Sequence, residues 1–153
     1  MLVFEKYHCD EDFKTITREE YVNFLFDYLG KFGDPKPDIQ KCLDYAFTTE
    51  KLAGGFALGA FFEDQLVGAL IMNKTGMSGY MPDHVLVYVA VDETHRGKGF
   101  GQQIIEKSFT YCNGDVKLHV EYDNPAKRLY ERIGFKNKYA DMRYVNENTS
   151  SQK

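Results

Sequence analysis

Residues 84–91 read HVLVYVAV, and no other stretch narrows the choice of fold so far. As a strand it puts Val85, Val87, Val89 and Val91 on one face and Leu86, Tyr88 and Ala90 on the other, so both faces are apolar. A strand of this kind belongs in the middle of a sheet with helices over it. Just beyond it Gly97, Gly99 and Gly101 crowd into five residues, interleaved with Lys98 and Phe100 and preceded by Arg96. A helix-like pattern follows. Strand, glycine turn and helix in that order converge backbone N–H groups at a helix N-terminus, where the dipole favours an anion such as phosphate. Arg96 and Lys98 can add charge-assisted contacts.

Spacing excludes two common phosphate loops. No window gives GxxxxGK[ST]. The dinucleotide pattern GxGxxG fails as well, because it would need glycine where Gln102 or Ile104 stands.

The rest of the chain supplies the elements around this turn. Leu2 onward (LVFEKYH) reads as a first strand. Tyr21, Leu25, Tyr28 and Leu29 recur at helical spacing, and Thr17 with Glu20 forms a capping-box pattern in front of them. A turn at 33–37 precedes a second helix capped by Asp38, and FALGAFFEDQLVGALIMN reads as a β-hairpin. Ile104, Ile105, Phe109 and Cys112 mark a third helix, and VKLHVEY at 116–122 alternates as a half-buried strand. Asn124 as N-cap, Pro125 at the first helical position and Gly134 as terminator bound a fourth helix with Tyr130 on its apolar stripe. A last strand is expected at 136–145, then a disordered polar tail at 146–153. This order predicts one α+β or mixed α/β domain over 1–145.

Composition closes off other classes. The 153 residues suffice for a packed core, and 12 Phe and 11 Tyr argue against a disordered chain. A net charge of −4 argues against broad nucleic-acid binding, and no apolar run is long enough for a membrane span. The default is a cytoplasmic protein. Cys9, Cys42 and Cys112 are odd in number and widely spaced, and the four histidines show no ligand spacing. Reduced thiols and no metal are expected.

The segment VAVDETHRGKGFGQQIIE resembles the acyl-CoA signature of the GCN5-related N-acetyltransferase (GNAT) family, whose [RQ]xxGx[GA] pattern is met by Arg96, Gly99 and Gly101. The family's second element, a helix running from Asn to Tyr and ending in Gly-Phe, is matched by Asn124, Ala126, Leu129, Tyr130, Gly134 and Phe135. The likeness covers residues 56–144. It implies a central mixed sheet of six to seven strands flanked by about four helices. Acetyl-CoA would be the acyl donor, with its pantetheine along the backbone of Val89, Ala90 and Val91. Its pyrophosphate would lie on Arg96, Gly97, Lys98, Gly99, Phe100, Gly101 and Gln102, and Asn124 would touch the pantetheine or orient its helix.

Tyr130 matches the family's proton donor to the departing thiolate, and phenol and thiol pKa values of roughly 10 and 8.5 make that transfer inexpensive. Without the family it reads as core. For the base that deprotonates the amine, Glu121 is the first choice, with His119, Tyr88 and His84 as alternatives. The implied reaction is acetyl transfer to a primary amine of a small molecule such as a polyamine, aminoglycoside or amino acid. A protein or peptide acceptor, or a non-catalytic acyl-CoA-binding regulatory domain, would share the glycine turn. No nucleic-acid or membrane partner is expected, and a homodimer is left open.

Overall fold

A computed structural model describes residues 1–148, in which nine helices and strands are linked by short turns. In chain order they are β1 (Val3–Tyr7), α1 (Arg18–Leu29), α2 (Lys36–Phe47), β2 (Gly55–Phe62), β3 (Gln65–Lys74), β4 (His84–Val91), α3 (Phe100–Phe109), β5 (Val116–Lys117) and α4 (Ala126–Ile133). The strands form one mixed sheet in the order β1-β2-β3-β4-β5, antiparallel except for the parallel pair β4/β5.

Local chemistry accounts for the ends of these elements. Thr17 and Glu20 close the expected capping box at α1, satisfying two amides that a helix start leaves without partners. The second helix starts at Lys36 rather than after Asp38, because Pro37 already holds the dihedral that a first helical turn requires. Between β2 and β3 the turn residues Glu63 and Asp64 both have positive φ, 50° and 65°, which suits the twist of a two-residue hairpin.

Two apolar layers cover the sheet. One joins α1 and α2 to the sheet through Tyr21, Leu25, Ile39 and Leu43. The other holds α3 and α4 through Ile104, Ile105 and Tyr130. Fully buried Tyr21 lies under β2 and β3, its hydroxyl 2.9 Å from the Leu58 carbonyl and 2.8 Å from that of Leu70. β4 contributes to both layers, as its doubly apolar pattern requires, but its alternation is broken once. Pairing with β3 shifts between Tyr88 and Leu86, leaving Val87 as an extra residue. Val87, Tyr88 and Ala90 therefore pack with α1 and α2, and Leu86, Val89 and Val91 with α3 and α4.

Two sequence expectations are corrected. Of VKLHVEY only Val116 and Lys117 pair with β4, so His119 and Glu121 do not stand on a strand. The strand expected at 136–145 is absent: these residues are irregular and exposed, which leaves five strands rather than six or seven. Aromatic and β-branched residues at 136–145 mark a segment able to pair, and pairing also requires an available edge. Asn146 to Asn148 are exposed and carry the start of a turn, and the remainder of the expected tail, 149–153, lies outside the described residues.

Candidate functional site

β4 pairs with β5 only at His84↔Val116 and Val85↔Lys117. From Leu86 onward β4 stays paired to β3, with Val89 opposite Leu70 and Val91 opposite Gly68, while its other edge has no strand beside it. The two parallel strands thus part toward the end of β4 where the glycine turn begins. Backbone groups of Val89–Val91 that point away from β3, apart from the Val91 carbonyl, are left for another partner.

The turn is fixed by side chains around it. Asp92 accepts from the Thr94 amide and hydroxyl, both at 2.9 Å, and shapes a short helical turn through His95. Arg96 then donates from Nε to the Val91 carbonyl and from its terminal nitrogen to the Tyr28 carbonyl, each at 3.0 Å. Its side chain clips the end of β4 to the end of α1. Two of the five N–H donors of the guanidinium expected to meet an anion are used in that clip, and Arg96 and Lys98 are both exposed, the Lys98 ammonium 5.7 Å from the centre of the Phe62 ring.

The three glycines divide into two kinds. Gly97 and Gly99 have φ of 79° and 80°, a region L residues rarely occupy, and a Cβ on either would point into open space. Gly101 is needed for close packing instead, since its Cβ would lie 3.1 Å from Leu129 on α4. The first helical bond of α3 runs from the Gln103 amide to the Gly99 carbonyl. The amides of Phe100, Gly101 and Gln102 are thus the unpaired ones at a helix start, beside the open space over Gly97 and Gly99.

On α4, Asn124 accepts from the Ala126 amide at 2.9 Å and so caps the helix as its sequence position predicts. Tyr130 is 9% exposed and shares an apolar cluster with Val89, Val91 and Phe100. Its ring meets Phe135 edge-on, its hydroxyl has no hydrogen-bond partner among the described residues, and burial pushes its pKa up to about 12.

The proposed bases fare differently. Glu121 is exposed on the turn into α4, where its carbonyl accepts from the Asn124 amide. His119 lies 3.6 Å from the Asp141 carboxylate. Tyr88 donates to Asp34 at 2.5 Å, and burial and that carboxylate hold its pKa well above the usual phenol range. Its hydroxyl therefore holds its proton more firmly than a free phenol does. His84 is buried at the start of β4, away from the glycine turn, beside a cavity of about 670 Å³ that also touches Lys74 and Gly55. Asp34 was not anticipated: nothing local distinguishes it within the turn GDPKP, and only the fold brings it to Tyr88.

A parallel strand pair that parts beside an anion-ready glycine turn, with Tyr130 of α4 packed against the end of β4, fits the acyl-CoA N-acyltransferase class of fold. The chain belongs to the Acetyltransferase (GNAT) family, whose sequence profile matches residues 13–135. It is 29% identical over 97 residues to a streptothricin acetyltransferase of Escherichia coli, an alignment covering 60% of this chain. The match spans about half, 53%, of that relative's length. Among solved structures, an aminoglycoside N-acetyltransferase in complex with CoA superposes with a TM-score of 0.70 at 10% identity, covering 95% of each chain. A ribosomal-protein-alanine N-acetyltransferase from Brucella melitensis gives 0.61 at 19% identity, covering 95% of this chain and 100% of that one. At these identities the two structures show a shared fold.

Proposed function

We propose that the chain transfers an acetyl group from acetyl-CoA to a primary amine of a small molecule. The observation that carries this reading is the parting of β4 from β5 beside the open space over Gly97 and Gly99. The residues fit the donor: free amides at the start of α3 suit a pyrophosphate, and the edge of Val89–Val91, which no strand pairs and where only the Val91 carbonyl is taken, by Arg96, suits the amide groups of a pantetheine arm. When bound, acetyl-CoA supplies a thioester carbonyl open to attack by an amine.

The chain's own groups then have defined tasks. Strand amides near Val89 take up charge that develops on the carbonyl oxygen. Tyr130, a neutral phenol at pH 7, gives its proton to the departing thiolate, a transfer that burial makes costlier than from a free phenol by raising its pKa to about 12. Glu121, exposed before α4, takes the proton of the amine through water. A lysine-like amine of pKa about 10.4 requires roughly 4.6 kcal/mol for deprotonation at pH 7, so such an acceptor depends on this base more than an α-amine does. The relation to a streptothricin acetyltransferase supports a small-molecule acceptor.

The test is a panel of polyamines, aminoglycosides, amino acids and short peptides offered with acetyl-CoA, read by release of free thiol. Turnover above hydrolysis with a small amine is expected. Turnover on peptides alone would move the acceptor to protein, and tight CoA binding without turnover on any amine would leave a regulatory acyl-CoA-binding domain.

A further inference from the structure

The end of β4 farthest from the glycine turn adjoins the cavity of about 670 Å³, a size within the roughly 300 to 1,000 Å³ usual for small-molecule sites. His84, the first residue of β4, lines it, and at about 3.3 Å per residue it stands roughly 23 Å along the strand from Val91. The cavity is therefore separate from the open space over Gly97 and Gly99.

Its wall carries a polar atom with nothing to bond. His84 is 5% exposed, and its Nδ1 is buried without a hydrogen-bond partner among the described residues. The imidazole donates to the Asn113 carbonyl, and because Nδ1 has no partner that proton is on Nε2. Burial and the nearby Lys74 ammonium lower the pKa of the ring, which is neutral at pH 7. Nδ1 is thus an acceptor lacking a donor, and its burial makes the missing bond costly. Asp83 does not supply one, since an ionised carboxylate only accepts, and it already takes the Asp115 amide at 3.2 Å. The ring forms part of the cavity wall, so a group bound there is placed to provide the donor that bulk water does not.

Charges of both signs stand beside it. Lys74 is the cross-strand partner of His84, so the two side chains rise from one face of the sheet with Cβ atoms about 5 Å apart. Lys74 and Glu50 both line the cavity, and neither has an ion-pair partner among the described residues. Phe47 and Leu52 add apolar surface. Leu52 holds a φ of 69°, rare for a bulky residue, with its carbonyl so close to Gly76 that a Cβ there would lie 2.3 Å from it. Backbone strain of this kind persists where the surroundings fix it, often around a ligand.

We propose that this cavity binds a free α-amino acid with an apolar side chain. The ligand's ammonium donates to Nδ1 of His84 and faces Glu50, its carboxylate meets Lys74, and its side chain lies against Phe47 and Leu52. Adjacent placement of His84 and Lys74 selects a donor and an anion carried on one carbon. A plain amine leaves Lys74 unmatched, and a plain carboxylate leaves Nδ1 without its donor. The site does not depend on acetyl transfer.

Titration of the full chain with l-phenylalanine, followed by calorimetry and by backbone amide NMR, tests the assignment. A Kd below about 1 mM is expected. Amide shifts should appear at Gly54, Gly55 and Gly76, which line the cavity. Phenethylamine, which lacks the carboxylate, and 3-phenylpropionate, which lacks the ammonium, should each bind at least about tenfold more weakly. Lys74→Gln and His84→Phe should each weaken l-phenylalanine at least about tenfold, and Lys74→Gln should leave phenethylamine unchanged. Lys74 is exposed, so its variant tests the site even where His84→Phe fails to fold. No binding at about 10 mM, an analogue that binds as well as the amino acid, or indifference to Lys74→Gln would overturn the proposal. So would amide shifts confined to residues 89–101, which would give the amino acid to the acetyl-transfer site.

Discussion

Tyr130 combines a largely buried ring with a hydroxyl that bonds to no described residue and still reaches solvent, an arrangement suited to a group that must serve a transient partner. Removing that hydroxyl by Tyr130→Phe should leave stability within about 0.5 kcal/mol, since no hydrogen bond is lost. The rate of acetyl transfer should fall roughly 100-fold while CoA affinity stays the same, because the donor acts only as the thiolate departs. Single-turnover measurements are the appropriate reading, free of product release. A parent-like rate would return Tyr130 to the core and leave the proton to water. Arg96 and Lys98 separate at the same scale. Two positions apart in the sequence they look equivalent and both are exposed, yet only Arg96 is tied to backbone carbonyls. That division depends on where α1 ends, which no local pattern records.

Between elements, α1 is held to the sheet by a polar contact inside an apolar layer. Tyr21→Phe removes the donor shared by the Leu58 and Leu70 carbonyls and should destabilise the chain by about 1 to 2 kcal/mol, measured as a lower urea midpoint with unchanged slope. No change would mean the two strands already satisfy those carbonyls. Elements whose signals are local were legible: β4 from its doubly apolar alternation, α1 from Thr17 and Glu20, and the cap of α4 from Asn124. Less legible were features decided by distant edges. Leu118 to Glu121 continue the alternation of β5 but leave β4 after Lys117, and 136–145 carries strand-forming residues without a neighbour. Within the site, the glycine turn could be read because left-handed backbone calls for glycine, whereas Asp34 reaches Tyr88 across 54 positions and has no such signature.

Across the whole molecule, burial is the leading cause that raises the pKa values of Tyr7, Tyr21, Tyr88 and Tyr130, and it pushes Cys42 up to about 12 and Cys112 up to about 11. Unfolded thiols and phenols release protons near 8.5 and 10, while the folded chain still holds them. The folded state then binds more protons, so stability declines as pH rises, beginning near pH 9 and continuing beyond pH 11. Urea titrations under reducing conditions across that window should show a falling midpoint, and a flat profile would mean that these groups meet solvent in the folded chain. The extra residue at Val87 has a consequence of another kind. It is the one position on β4 that can be lost without turning any side chain over: with Val87 removed, Leu86 still faces Met72 and Tyr88 still faces Ile71, and each keeps its layer. Removal of one residue anywhere else on β4 would instead send the residues beyond it to the opposite layer, as a missed stitch shifts a pattern.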